Sequence, residues 1–163
     1  MENSIAKPSR PLRMIEMPRL ELSCWHAWDD RQSIANSGFP GIYVIAVTTK
    51  DLHHLPVHWT DVSYIGMTQS SNGLVNRWRQ FNKAIRESAY HSGGNSIREQ
   101  LGTYESWTQK LFVAAMAVEI DWLERTPDDT LKLGWVSYLE YEAFAEFRRH
   151  SGSSRMRPPF NKR

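Results

Sequence analysis

Two short apolar segments constrain the fold of this chain more than any other feature. Residues 41–48 read GIYVIAVT and residues 62–66 read VSYIG, and both combine β-branched and aromatic residues with a bounding glycine. Segments of this length and composition predict strands with buried side chains. The linker between them, residues 50–61, is longer than a tight hairpin needs. We therefore expect two strands of one small sheet.

An amphipathic helix is predicted directly after the second segment. SSNG at 70–73 supplies capping residues. Arg79, Lys83 and Arg86 form a basic stripe on this helix, and Arg77 borders its apolar side. The apolar face consists of side chains spaced four, three and four residues apart: Leu74, Trp78, Phe81 and Ile85.

The rest of the chain predicts a short helix, a third strand and a long final helix. These fall in residues 91–102, 107–119 and 129–149 respectively. The resulting order is β-β-α-α-β-α, an α+β fold with a three-stranded mixed or antiparallel sheet flanked by helices. We expect residues 1–38 to form an N-terminal arm or extension and residues 39–163 to form one domain.

Composition narrows the class of protein. A chain of 163 residues with 40% hydrophobic residues can build one core. Because it has no long apolar run and no signal-type N-terminus, we expect a cytoplasmic protein without membrane contact. A single cysteine, Cys24, excludes an intrachain disulfide and a cysteine-based zinc site. The net charge is only +2, but residues 148–163 hold six arginines and lysines and no acid, which suits a polyanion.

The two apolar segments also resemble the paired motif of the GIY-YIG nuclease family. GIY stands at 41–43 and YIG at 64–66, Arg77 follows Gly66 by eleven residues, and a late helix carries Glu140. The chain ends in PPFN, which supplies Asn161. The resemblance spans residues 39–163. It implies a metal-dependent DNA endonuclease that leaves 5′-phosphate and 3′-hydroxyl ends, of the compact restriction, phage or homing type.

The resemblance also implies roles for particular residues. Glu140 would hold Mg²⁺ or Mn²⁺, and Arg77 would stabilise charge on the phosphate. One of the two motif tyrosines would orient or deprotonate the attacking water, and the sequence does not decide which. The catalytic set is Tyr43, Tyr64, Arg77, His91, Glu140 and Asn161. Substrate binding is assigned to Gly66, Arg79, Lys83, Arg157 and Lys162.

Physical chemistry supports two of these assignments. The segment LEYEAFAEF offers Glu140, Glu142 and Glu146, but only Glu140 shares a helix face with apolar neighbours. A carboxylate placed there costs several kcal/mol unless a charge meets it, and either a metal ion or an arginine would serve. A phenol with an ordinary pKa of about 10 is a poor base, so a tyrosine base needs a nearby cation such as Arg77.

Departures from the family pattern keep other functions open. Met67 stands where many members have lysine, and Phe81 stands where many have histidine or tyrosine. The alternatives are a nucleic-acid-binding protein on a non-cleaving scaffold and a protein-interaction domain.

We expect the linker histidines His53, His54 and His58 to face solvent rather than a metal. If the enzyme cuts both strands of DNA, two active sites are needed, most simply in a homodimer.

Overall fold

The computed structural model describes residues 16–87 and 89–162. Residues 1–15 of the predicted arm lie outside the described residues. The described part contains strands and α-helices joined by loops and three short 3₁₀ helices. The strands are β1 (His26–Ala27), β2 (Gly41–Thr48), β3 (Tyr64–Thr68) and β4 (Lys110–Ala117). The α-helices are α1 (Gly73–Arg86), α2 (Ser92–Leu101) and α3 (Pro127–His150).

The sheet is antiparallel throughout, with the strand order β1-β4-β2-β3. The predicted α+β class is confirmed, but the predicted count of three strands is wrong. The fourth strand, β1, pairs His26 with Val113 and Ala27 with Phe112. Two residues carry no detectable period, and their partners lie far along the chain, so local sequence could not reveal this strand.

Part of the predicted N-terminal extension packs into the same core. Trp25 and Trp28 are 0% and 1% exposed, and Ile34 is buried beside them. The Trp28 indole Nε1 donates a hydrogen bond of 2.9 Å to Asn82 Oδ1 on α1. Burying an aromatic side chain stabilises the fold by roughly 2 kcal/mol, so these residues contribute to the stability of the sheet and helices that follow them.

Helices cover both faces of the sheet, which therefore has two apolar layers. Ile42, Val44 and Ala46 of β2 pack on the side of α3, whereas Tyr43 and Ile45 pack on the side of α1 and α2. Burial of β2 on both faces was predicted from its continuous apolar run and is confirmed. The predicted apolar face of α1 is also confirmed, since all four of its members are buried: Leu74, Trp78, Phe81 and Ile85.

The long helix α3 begins at a capping box. Thr126 accepts a hydrogen bond from the Asp129 backbone N–H, and the Asp129 carboxylate accepts one from the Thr126 N–H. Pro127 occupies the first helical turn, where its missing N–H costs nothing. In the described residues, none of the helices has the length and apolar character required to cross a bilayer.

Gly41 brings β2 close to the backbone of β4. A Cβ at this position would lie 2.2 Å from the Met116 carbonyl oxygen and 2.9 Å from the Ala117 Cα. Both neighbours are backbone atoms of the paired strand, so they cannot move aside without breaking the ladder. The first glycine of the GIY segment is therefore required by strand packing.

Gly41→Ala is expected to lower the free energy of unfolding by about 3 kcal/mol, because the methyl group overlaps backbone atoms. Gly38→Ala is the matched control, since a Cβ at Gly38 would meet no atom within 4 Å. Urea denaturation of the two variants measures the difference. Equal stability of the two would contradict the close approach of β2 and β4.

Candidate active site at the edge of the sheet

A cleft of about 400 Å³ opens at the edge strand β3. Five of the residues that line it were predicted as site residues: Tyr64, Glu140, Arg157, Asn161 and Lys162. They come from a strand, from helix α3 and from the C-terminal segment. The fold thus brings together side chains that lie nearly one hundred residues apart in the sequence.

The register of β2 and β3 places both motif tyrosines on one face of the sheet. Tyr43 is paired with Gly66, and Ile45 is paired with Tyr64. The ring centroids of Tyr43 and Tyr64 are 6.0 Å apart. A Cβ at Gly66 would lie 2.6 Å from the Tyr43 hydroxyl oxygen and 2.8 Å from Tyr64 Cε1. Gly66 is itself buried, and its lack of a side chain leaves space for the two rings.

His91 holds the Tyr43 hydroxyl in place. Its Nδ1 accepts a hydrogen bond of 3.1 Å from the Gly94 N–H and so caps helix α2. Its Nε2 lies 3.1 Å from Tyr43 Oη. Because Nδ1 is an acceptor, the neutral imidazole carries its proton on Nε2 and donates it to Tyr43. Burial, and next the charge of Arg77, lower the pKa of His91 to about 3, so the ring is neutral at neutral pH.

The two phenols have different environments. Burial raises the pKa of Tyr43 well above its ordinary value, and the neighbouring Tyr64 raises it further. Burial also raises the pKa of Tyr64, but the Arg77 charge opposes this rise and the Tyr43 hydroxyl lowers the pKa as well. Tyr43 is 0% exposed, whereas Tyr64 borders the cleft. Tyr64 is therefore the phenol that can meet a molecule in the cleft.

Arg77 is a cation that forms no salt bridge in the described residues. It lies half-buried on α1, and its Nη1 donates a hydrogen bond of 3.0 Å to Gln80 Oε1. Its Nε is buried and has no hydrogen-bond partner in this part of the chain. None of the salt bridges among the described residues involves it. A guanidinium with free donors is suited to bind an anion.

Glu140 supplies a carboxylate to the same cleft. It comes from α3, on the other face of the sheet, and reaches the edge of β3. Burial raises its pKa, while the charges of Arg157 and then Arg77 lower it. Within residues 16–87 and 89–162, no basic side chain approaches it closely enough to form a salt bridge. The alternative of a direct arginine pair is therefore not seen in that part of the structure.

Asn161 attaches the C-terminal segment to the free edge of β3. Its Nδ2 donates a hydrogen bond of 2.7 Å to the Ile65 carbonyl, and its Oδ1 accepts one of 2.9 Å from the Ile65 N–H. The amide group thus pairs with β3 as a neighbouring strand would. The Phe160 N–H adds a bond of 3.1 Å to the Ser63 carbonyl. This attachment places Lys162 at the cleft. Arg157 also lines the cleft, and its guanidinium lies 4.8 Å from the Phe144 ring centroid.

Other predicted residues lie away from the cleft. Arg79 and Lys83 are exposed on α1 and do not line it. Of the linker histidines, His54 and His58 are exposed as predicted, but His53 is half-buried and its Nδ1 accepts a bond of 3.0 Å from the Ala27 N–H. In the described part of the chain, no group of three or more His, Cys, Asp or Glu residues is arranged to hold a metal ion.

Sequence reasoning missed residues that shape the cleft. A Cβ at Gly93 would lie 2.3 Å from Tyr64 Cε2, so this glycine lets α2 pack directly on the ring. At Gly94 a Cβ would lie 2.7 Å from Ala84 Cβ, which explains the close approach of α1 and α2. The adjacent glycines after His91 were the available signal. The lining residues Ser92, Tyr141 and Phe144 had no comparable signal.

His91 makes stability depend on pH. Below its ordinary pKa of 6.5 the unfolded chain takes up a proton, while the folded ring stays neutral until the pH approaches about 3. The free energy of unfolding should therefore fall by about 1.4 kcal/mol per pH unit as the pH drops through this window. His91→Asn keeps a capping acceptor but does not titrate. Urea denaturation across that range should show a steeper loss for the wild type, and parallel curves would contradict this assignment.

Comparison of the chain with protein-family models, with curated proteins and with solved structures finds no match in any of the three. The function is therefore inferred from the residues and geometry of the cleft, together with the motif resemblance.

Proposed function

We propose that this protein is a metal-dependent DNA endonuclease that hydrolyses phosphodiester bonds and leaves 5′-phosphate and 3′-hydroxyl ends. One observation carries the proposal. The Glu140 carboxylate, in the cleft that Tyr64 lines, has no salt bridge among the described residues, and neither does the nearby Arg77 guanidinium. Arg77 influences the pKa values of both Tyr64 and Glu140, so the three groups share one electrostatic environment. The resemblance to the GIY-YIG family supports the same chemistry.

The donor set of the cleft fits a magnesium ion. Mg²⁺ is commonly held by one or two carboxylates and completes its octahedral shell with water and substrate phosphate oxygens. Glu140 offers one partly desolvated carboxylate, which remains available because it has no salt bridge in the described residues. When bound, Mg²⁺ or Mn²⁺ supplies Lewis-acid activation of the phosphate and of the leaving oxygen.

Arg77 is proposed to stabilise the charge that develops on the phosphate. Its guanidinium can donate two parallel hydrogen bonds to phosphate oxygens. In a partly buried setting these donors are stronger than they would be in water. The orphaned Nε of Arg77 already lies in such a setting. A bound phosphate would thus satisfy a group that the described residues leave without a partner.

Tyr64 is proposed to orient and deprotonate the attacking water, with Tyr43 and His91 in supporting roles. The buried Tyr43 cannot contact the cleft directly, and its oxygen accepts the Nε2–H of His91. Tyr43 is then free to direct its own O–H towards Tyr64, which agrees with the way the Tyr43 hydroxyl lowers the pKa of Tyr64. A donor at the Tyr64 oxygen favours the phenolate that a general base requires.

The surface around the cleft suits a polyanion. A second hollow of about 540 Å³ shares Arg157 and Asn161 with the cleft and adds Arg155. A third, of about 620 Å³, shares Ser92 and Lys162. The cleft therefore lies in the middle of a groove, and Glu140 is the one acidic side chain that lines it in the described residues. Such a groove can follow a DNA backbone through phosphate contacts.

A plasmid-nicking assay tests the proposal. Wild-type protein with Mg²⁺ should convert supercoiled plasmid to nicked circles, and Glu140→Gln or Arg77→Ala should slow nicking at least ~100-fold. Glu142→Gln is the matched control from the same helix and should cut at the wild-type rate. DNA retention at low salt without any nicking would instead support a binding protein, and no retention would support a protein-interaction domain.

The pH dependence of nicking tests the tyrosine assignment. If Tyr64 must lose its proton, the single-turnover rate should rise with pH into the alkaline range, because burial raises the pKa of Tyr64. Arg77→Gln removes the charge that lowers this pKa and should move the rise to higher pH. Arg77→Lys keeps the charge and should slow the reaction without moving the rise.

Two further variants identify the base. Tyr64→Phe should abolish the alkaline rise and slow the reaction by a factor of about 10² to 10⁴, as expected for loss of a general base. Tyr43→Phe should reduce the rate but retain the rise. The opposite pattern would assign the base to Tyr43.

A further inference from the structure

The outer face of α3 carries a stripe of exposed, uncharged residues. Leu131 is 58% exposed, Tyr138 46% and Tyr141 69%. Gly134 and Ala145 complete the stripe at helical spacing. The helix buries its other side through a separate set of residues, Val136, Leu139, Ala143 and Phe147. The stripe is thus additional apolar surface, and in the described residues nothing covers it.

This stripe is unusual for a helix on the surface. The outer face of α1 carries Arg79, Gln80 and Lys83, as is typical of a face in contact with water. The exposed positions of α3 between Leu131 and Tyr141 carry no charge, and Glu142, one turn after Tyr138, is half-buried. Contiguous exposed apolar residues of this kind are typical of a surface that binds another macromolecule.

Gly134 points to close packing by another backbone. A Cβ at this position would meet no atom within 4 Å, and its φ is not in the left-handed region. A glycine inside a helix costs about 1 kcal/mol relative to alanine. No contact among the described residues requires this cost. A glycine does, however, allow a second chain to approach the helix more closely than any other residue would.

The charges at the ends of α3 select the direction of a second helix. Asp128 lies exposed in the first turn, and Arg148 and Arg149 lie exposed in the last, where Arg149 also forms a salt bridge with Glu146 of its own helix. Two copies of α3 packed antiparallel bring opposite charges together at both ends, whereas parallel copies bring like charges together. The two ends of the stripe are symmetric along the helix, because Leu131 and Ala145 are equally distant from Tyr138, and Gly134 and Tyr141 lie about one turn from Tyr138 on opposite sides. Two-fold association requires this kind of self-complementary surface.

We propose that the outer face of α3 is a homodimer interface, with the α3 helices of two copies of this chain packed antiparallel about Tyr138. Tyr138 from each copy lies close to the two-fold axis. Gly134 lies near Tyr141 of the partner subunit and leaves room for its ring. Asp128 lies near Arg149 of the partner subunit at each end of the contact.

The dimer has a consequence that rests on the proposed nuclease function. Tyr141 borders both the stripe and the catalytic cleft, so the cleft lies on one flank of α3. A two-fold axis perpendicular to the pair of helices places that flank of each copy on the same side of the dimer. Both clefts then face one DNA duplex, as cleavage of both strands requires.

Sedimentation velocity without DNA or metal tests the interface independently of any cleavage. Wild-type protein between about 1 and 100 µM should shift from monomer to dimer with rising concentration. Tyr138→Glu should weaken dimerisation at least tenfold and still fold, as circular dichroism would show. Leu123→Glu is the control, since Leu123 is 96% exposed but lies off the helix. The proposal would be overturned if the wild type stays monomeric, or if Leu123→Glu weakens dimerisation as much as Tyr138→Glu does.

A charge exchange tests the antiparallel direction. Asp128→Arg and Arg149→Asp should each weaken dimerisation, and the double variant should recover at least part of the loss. A double variant that dimerises more weakly than both single variants would exclude this pairing.

If the wild type is monomeric and the Tyr138→Glu variant no longer binds DNA, the stripe is a DNA-binding surface and the dimer proposal fails. Nicking that is absent from a protein that still dimerises would count only against the proposed nuclease function.

Discussion

The antiparallel register of β2 and β3 is the constraint on which the candidate site depends. It pairs Tyr43 with Gly66 and so places both motif phenols on the face covered by α1 and α2. Side chains alternate along a strand, so a shift of one residue would turn Tyr64 to the opposite face. The glycines at 66 and 93 make this register possible, because any side chain at either position would overlap the Tyr64 ring.

Helix α2 links backbone structure to the chemistry of the site. Its first turn needs an acceptor, and His91 provides one through Nδ1. The same bond leaves the imidazole proton on Nε2, which donates it to Tyr43. A requirement of helix capping thereby sets the direction of a hydrogen bond in a buried aromatic cluster. The ring's neutrality follows from that burial and from the nearby positive charge of Arg77.

The site also contains partly buried charged groups whose loss of hydration is not offset by a salt bridge in the described residues. Glu140 is partly desolvated without a salt bridge in the described residues, and the buried Nε of Arg77 has no partner there. Well-packed apolar residues at both positions would be expected to favour stability. Departures of this kind from the rules of stability are expected at functional or strained sites. Glu140 lines the cleft and Arg77 acts on its pKa, whereas the packed apolar residues form the two layers on the faces of the sheet.

Composition and periodicity by themselves determined the α+β class, the double burial of β2 and the apolar face of α1, because these follow from local spacing. The motif resemblance also named residues that do converge on the cleft, including Tyr64 and Glu140. Only the tertiary structure decided the fourth strand, the position of Tyr64 at the cleft in contrast to the enclosed Tyr43, and the backbone role of Asn161. Each of these depends on contacts between residues far apart in the chain, and a single sequence does not encode such distances in any local pattern.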